Sequence, residues 1–175
     1  MFKIIAIVVV VAVAGVLLYA ATRSDTFRVA RTASIKAPPD RIFPLINDLH
    51  RFNTWNPYEK KDPDIKGRYS GPDSGKGAQY AFEGNNEVGK GSLEITDSEP
   101  PGRVAMRLRM TAPMEADNQI EFTLEPEGEV THVTWAMQGR SPYIAKLIGL
   151  VVNMDRMISR DFEAGLANLK GLAEK

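Results

Sequence analysis

The residues that could perform acid–base or metal chemistry are few and scattered. The 175 residues contain no cysteine and two histidines, His50 and His132, which fall in different predicted elements. Disulfides and thiolate metal sites are therefore excluded, and we expect neither a metal nor a cofactor. A serine–lysine or carboxylate mechanism stays open, with Asp161, Glu83 and Glu87 as the acids nearest to a predicted apolar interior. The non-catalytic interpretation is the better one, with Asp161 as an ion-pair partner of Arg156 or Arg160 and Glu87 as a solvated turn residue, so no catalytic residue is assigned.

The charge balance gives no reason to expect a nucleic-acid partner. Lysine and arginine together number 22, as do aspartate and glutamate, so the formal net charge is zero. A chain without an excess of positive charge has no general attraction for phosphate backbones. We therefore predict no nucleic-acid binding.

Large apolar side chains recur on one face of several predicted strands and of one helix. Methionine is flexible and polarizable, and it is common on surfaces that accept varied apolar ligands. Tyr80 and Trp135 each carry a polar atom that needs a partner when buried, so we expect them to orient the polar end of a ligand. The same side chains would also fill a dry core, and the sequence leaves both interpretations open. The candidate ligand-binding residues are Trp55, Tyr80, Phe82, Met106, Met110, Phe122, Trp135, Met137, Met157 and Phe162.

The element that must position many of these side chains is a C-terminal helix over residues 153–174. Its apolar residues recur at gaps of three and four, which places them on one stripe of a helix. A helix of this length and pattern needs an apolar surface to cover. The stripe comprises Met154, Met157, Ile158, Phe162, Leu166, Leu169 and Leu172.

That surface is predicted to be an antiparallel sheet. Seven segments alternate between apolar and polar residues, and short polar turns join most of them, which favours a meander with one wet face. On the wet face, Arg107 and Arg109 are expected to pair with Glu121 or Glu125. The predicted strands are residues 27–36, 65–70, 78–83, 91–98, 103–111, 119–125 and 130–138.

Two short helices are predicted after the first strand. Residues 41–46 form the first, because prolines at 38 and 39 stop the strand and suit a first helical turn. The second helix or turn carries Leu49, Phe52 and Trp55, and Asn56-Pro57 ends it. Residues 143–152 are almost wholly apolar and either begin the C-terminal helix or pack separately at its start.

The N-terminus has the composition of a membrane span. Residues 4–21 carry no charge, and eighteen helical residues rise about 27 Å, close to the thickness of a bilayer core. A cleaved signal peptide is the alternative, but the basic start is Lys3 alone and the candidate cleavage sites have a large residue where a small one is preferred. The sequence predicts an uncleaved single-pass anchor, as in the bacterial inner membrane, and leaves the side of the membrane open.

Several motifs, in this order, resemble the START/polyketide-cyclase (SRPBCC) superfamily over residues 27–175. Residues 37–43, APPDRIF, are similar to its A-P-x-x-x-[VI]-[FW] motif at the first helix. Residues 52–57, FNTWNP, are similar to W-x-x-W-x-P, with Phe52 where tryptophan is preferred. The glycine-rich stretches 75–80 and 88–91 and the helix residues 154–169 resemble a bacterial subgroup with N-terminal membrane segments.

The resemblance implies an α+β helix-grip fold, in which a curved seven-stranded antiparallel sheet wraps around the long C-terminal helix. It also implies an apolar cavity between the two for a lipid, polyketide or similar molecule. Members include carriers, sensors and cyclases, and no catalytic residue is shared among all of them. We therefore expect residues 1–22 to be a transmembrane anchor, 23–26 a linker and 27–175 a domain that binds a hydrophobic small molecule or lipid. A cyclase- or dehydratase-like enzyme acting on such a molecule is the alternative, because fold alone does not fix chemistry.

Overall fold

The computed structural model describes residues 2–175, and its centre is one antiparallel sheet of seven strands. The strand order across the sheet is β1-β7-β6-β5-β4-β3-β2, so only β1 leaves the sequential order. All seven predicted strands are confirmed, with ends that differ by at most three residues. They are β1 (Thr26–Ile35), β2 (Lys66–Ser70), β3 (Gln79–Glu83), β4 (Lys90–Glu99), β5 (Arg103–Ala112), β6 (Ala116–Glu127) and β7 (Val130–Arg140).

Six helices complete the fold. The predicted helix-grip arrangement is confirmed, since short helices follow β1 and a long helix ends the chain. Within the apolar segment 143–152, the first six residues form a separate short helix and the rest form a turn, which resolves the alternative left open by the sequence. The helices are α1 (Phe2–Thr22), α2 (Pro39–Asn47), α3 (Leu49–Trp55), α4 (Pro57–Lys61), α5 (Tyr143–Ile148) and α6 (Met154–Ala173).

Helix α4 is missing from the sequence prediction because one residue both ends a helix and begins the next. The backbone N–H of Asn56 donates to the carbonyl of Phe52 and so terminates α3. The side-chain oxygen of Asn56 accepts from the N–H of Tyr58 at 3.3 Å and caps α4. Pro57 takes the first position of α4, where its missing N–H costs nothing. The Asn-Pro pair therefore marks a start as well as a stop.

Helix α6 lies along β1 on the inner face of the sheet. Arg31 donates to Glu163 at 2.9 Å, and the N–H of Lys36 donates to the carboxylate of Glu174 at 2.7 Å. These contacts fix the direction of α6, which runs from the start of β1 toward its end. Of the predicted stripe, Phe162, Leu166 and Leu169 are buried, Ile158 and Leu172 are half-buried, and Met154 and Met157 in the first turn are exposed. The other buried positions of α6 are the small residues Ser159, Gly165 and Ala173.

The outer face of the sheet is exposed to solvent as predicted, but its ion pairs differ from those predicted. Arg103 contacts Asp97, Glu99 and Glu121 at 2.7–2.9 Å. Arg107 pairs with Asp117, so the predicted pairing of Arg107 with Glu121 or Glu125 is wrong. The reason is the register: Glu121 lies opposite Ala105, within reach of Arg103.

A depression of about 1190 Å³ lies on this outer face and not between the sheet and α6. Its walls are the charged and amide side chains of β5, β6 and β7, and its arginines Arg103 and Arg107 are bound to carboxylates. An apolar ligand would gain little there, because it would cover solvated charges. The opposite, inner face is therefore the better candidate for a site that binds an apolar molecule.

Candidate functional site

The register of the sheet gathers several chain segments at one end. Thr26, which begins β1, lies opposite Arg140, which ends β7, and Lys90 of β4 lies opposite Ala112 of β5. The turns 84–89 and 113–115 therefore lie at the same end as the junction between α1 and β1. We call this the anchor end of the domain. Helices α5 and α6 also begin there, because they follow β7 in the chain.

Four of the candidate ligand-binding residues form one packed aromatic cluster deep between the sheet and α6. The ring of Trp135 stacks on Phe162 with centroids 4.1 Å apart and lies 5.1 Å from Phe122. Trp55 meets Trp135 edge-on at 5.7 Å, and Phe52 meets Trp55 at 4.7 Å. All five rings are buried, so this part of the interior is filled core. Met106 and Met137 are also buried on the inner face.

Tyr80 belongs to a second group, on the β2–β3 side of the sheet. Its hydroxyl donates to Glu59 of α4 at 2.8 Å, and its ring lies 4.6 Å from Tyr69. Burial, followed by the hydrogen bond to Glu59, raises the pKa of Tyr80. A Cβ on Gly67 would lie 2.5 Å from the Tyr80 ring, so this glycine makes room for it. The hydroxyl that was expected to orient a ligand is therefore already bonded within the protein.

Phe82 and Met110 lie next to each other on the inner face, toward the anchor end. A Cβ on Gly91 would lie 3.0 Å from Met110 Sδ and 3.1 Å from Phe82 Cζ, so the glycine leaves room for both side chains. Neither is fully buried, unlike the aromatic cluster. Met157, one turn from the start of α6, is 54% exposed and lies outside the interior. The half-buried apolar residues Phe27, Phe82, Leu108, Met110 and Ile158 form what we call the open end of the interior.

Three buried polar atoms in the described chain have no hydrogen-bond partner. They are the Nε1 of Trp135, the Oδ1 of Asn118 and the Oγ of Ser159. A buried polar atom without a partner costs about 1–3 kcal/mol, so each of the three calls for an explanation. Trp135 and Asn118 lie on the inner face of the sheet, and Ser159 lies one turn before Phe162 on the buried face of α6.

Asn118 and Ser159 are absent from the sequence-based candidates because both are polar residues on apolar faces. Asn118 precedes Ile120 and Phe122 at the alternation of a strand, so its inward direction is readable from the sequence. Its Oδ1 fills the space beside Gly139, where a Cβ would lie only 2.0 Å away. Ser159 lies three residues before Phe162. The available signal was therefore a polar residue at a position that faces inward, and candidates chosen for apolar character alone do not include such residues.

The candidate acids are engaged elsewhere or exposed. Asp161 binds Lys61 of α4 at 2.8 Å, so the predicted partners Arg156 and Arg160 are wrong. The α4 helix was not predicted, which explains why its lysine was overlooked. Burial, and then the charge of Asp161, raises the pKa of Tyr58. Glu83 pairs with Lys90 at 3.1 Å on the surface, and Glu87 is exposed in the turn after β3.

Among residues 2–175, no group of three or more histidine, aspartate or glutamate side chains lies close enough to hold a metal ion. The inner face carries closely packed apolar side chains with three unpartnered polar atoms among them, and half-buried apolar side chains toward the anchor end. Side chains of these kinds suit the recognition of an apolar molecule with one polar group.

The family assignment follows from sequence. Residues 26–174 match the family described as polyketide cyclase / dehydrase and lipid transport. The chain belongs to this family. The match confirms the resemblance to the superfamily and supports a role in binding a hydrophobic ligand or in cyclase-type chemistry. Among curated proteins, none matches the sequence.

Solved structures show the fold of the family more widely. Protein CV1439 from Chromobacterium violaceum shares 17% identity, with a TM-score of 0.59 over 86% of this chain and 98% of its own. Ginseng major latex-like protein 151 from Panax ginseng shares 12% identity, with a TM-score of 0.59 over 85% of this chain and 97% of its own. DynU16, from the dynemicin biosynthetic locus, shares 19% identity, with a TM-score of 0.59 over 87% of this chain and 48% of its own. At these identities the likeness concerns the fold alone.

Proposed function

We propose that the protein is a membrane-tethered module that binds a hydrophobic small molecule or lipid between the sheet and α6. The observation that carries this proposal is that three buried side-chain polar atoms between the sheet and α6, on Trp135, Asn118 and Ser159, have no hydrogen-bond partner. A ligand with a polar group and an apolar body would satisfy such atoms and cover the half-buried side chains of the open end. The lipid-transport part of the family description agrees with this chemistry.

The tether is α1. Residues Phe2–Thr22 form a helix long and apolar enough to cross a membrane, and a signal sequence would meet the same criterion. We favour an anchor because the helix continues into the domain through only three residues, Arg23, Ser24 and Asp25. The side of the membrane on which the domain lies stays open.

A cyclase- or dehydratase-like enzyme is the second candidate, and the family description supports it too. Such an enzyme needs an acid or base that reaches the ligand. Asp161 is bound to Lys61, Glu59 accepts from the hydroxyl of Tyr80, and the candidates Glu83 and Glu87 lie outside. Binding without chemistry therefore accounts better for the residues on the inner face.

Native mass spectrometry of the full chain, released from detergent micelles, tests the binding function. We expect one lipid-sized molecule to stay bound to most of the chains. Met110→Trp should reduce the retained fraction at least tenfold, because a larger ring at the open end occupies the space that the ligand needs. Thr111→Trp is the matched control, since the next residue on β5 is exposed on the other face of the sheet. A wild-type chain that carries no ligand, or equal retention in the two variants, would contradict the proposal.

A further inference from the structure

The exposed apolar side chains of the domain are concentrated at the anchor end. Among the described residues after α1, eight large apolar side chains are exposed, and only Tyr69 lies elsewhere, stacked on His50. Scattered exposed apolar residues need no explanation, but a group on one surface indicates an interaction. The seven are Met114, Tyr143, Ile144, Val151, Val152, Met154 and Met157.

The contacts of α1 place this surface beside the membrane span. The hydroxyl of Tyr143 on α5 donates to the carbonyl of Leu17 at 2.9 Å. Ala20, near the end of α1, is fully buried although most of that helix is exposed. Helix α5 therefore packs directly against the last turns of the span, and the exposed group follows α5 in the chain.

The connection between α1 and the domain is held at a fixed geometry. The carbonyl of Asp25 accepts from the N–H of Ser141 at 2.7 Å, which extends the β1–β7 ladder into the connection. The carboxylate of Asp25 binds Lys146 of α5, whose side chain is only 6% exposed. These contacts join the connection to β7 and α5 and so hold the anchor end beside α1.

Tyr19 and Arg23 indicate the depth of the span. The Arg23 guanidinium lies over the Tyr19 ring, 5.9 Å from its centroid. Tyrosine rings and basic residues prefer the level of the lipid headgroups. The anchor end begins within a few residues of this level, because Thr26 already belongs to β1.

We propose that the anchor end is seated in the bilayer that α1 crosses, so that the open end of the interior faces lipid. Ile144, Val151 and Met154 enter the apolar edge of the membrane, where their exposure costs nothing. The ligand is then a membrane-resident molecule that moves between bilayer and interior without crossing water. This inference rests on the proposed function for the anchor and deepens it by naming the source of the ligand.

The depth of single labels tests the seating. Because the chain has no cysteine, Val151→Cys, Met154→Cys and Glu129→Cys each accept one fluorescent nitrobenzoxadiazole label. Glu129 is the control, exposed in the β6–β7 turn at the opposite end of the sheet. In phosphatidylcholine nanodiscs that contain the full chain and spin-labelled lipid, we expect labels at 151 and 154 to be quenched several-fold more than the label at 129. Equal quenching at the three positions, with equal access to aqueous iodide, would overturn the proposal.

The label experiment tests the seating and the mass spectrum tests the binding function, so either claim can be contradicted without the other. A chain that retains a lipid but shows equal quenching would overturn the seating and leave the binding function standing. A chain that shows the expected quenching but retains no lipid would support the seating and contradict the binding function.

Discussion

Replacing Trp135 with alanine is expected to lower the free energy of unfolding by about 3–5 kcal/mol. The ring is 2% exposed and touches four other aromatic rings, so its loss opens a cavity that the surrounding rings cannot close by collapse. Chemical denaturation of the full chain in micelles, followed by near-ultraviolet circular dichroism, measures the change.

Thr134→Ala is the matched control for this substitution. Thr134 faces the outer side of β7, and its hydroxyl shares one hydrogen bond with Thr32 at 2.8 Å. We expect a loss of about 1 kcal/mol or less there. If Trp135→Ala costs no more than the control and ligand binding is unchanged, the aromatic cluster is not the packed core described above. A small loss with much weaker binding would instead make Trp135 a wall of an open cavity.

Gly165→Ala and Gly171→Ala should change stability in opposite directions, although both lie on α6. A Cβ on Gly165 would lie 2.7 Å from the Trp135 ring and 3.0 Å from Pro57, whereas a Cβ on Gly171 meets nothing within 4 Å. Alanine gains about 1 kcal/mol over glycine inside a helix. Overpacking of a tight core costs roughly 1–3 kcal/mol.

We therefore expect Gly165→Ala to destabilise the fold by up to about 2 kcal/mol after the helix gain is subtracted. Gly171→Ala should stabilise the fold by up to about 1 kcal/mol. The same denaturation measurement gives both values. A stabilising Gly165→Ala would show that α6 lies farther from Trp135 and Pro57 than the structure places it.

The strands and α6 were predictable because their patterns repeat over many residues. Strand β5 alternates over its whole length, and α6 keeps one apolar stripe over five turns. Local signals of one or two residues were less reliable. Asn56-Pro57 predicts the end of a helix but does not show that Asn56 caps another. The ion pairs of Arg107 and Asp161 depend on register and on α4, which no local pattern fixes.

The candidate site was only partly predictable, because a sequence does not show which apolar residues touch a ligand and which fill the core. The structure brings Trp55, Phe122, Trp135 and Phe162 together in one cluster and places Met157 on the surface. Asn118 and Ser159 become candidate ligand contacts only because the structure shows that both are buried and lack hydrogen-bond partners. Whether a buried polar atom finds a partner depends on three-dimensional packing, and the spacing of residues in the sequence does not indicate it.

Photo-crosslinking of a diazirine-bearing fatty acid to the full chain in its native membrane tests the central claim most directly. If the ligand lies between the sheet and α6, crosslinked peptides will include Met110, Asn118 or Ser159 as well as residues of α1. Met110→Trp should remove the interior crosslinks and keep those of α1, while Thr111→Trp should keep both. Crosslinks confined to α1 and the exposed surface of the anchor end would show that lipid touches the protein without entering it, and would contradict the account.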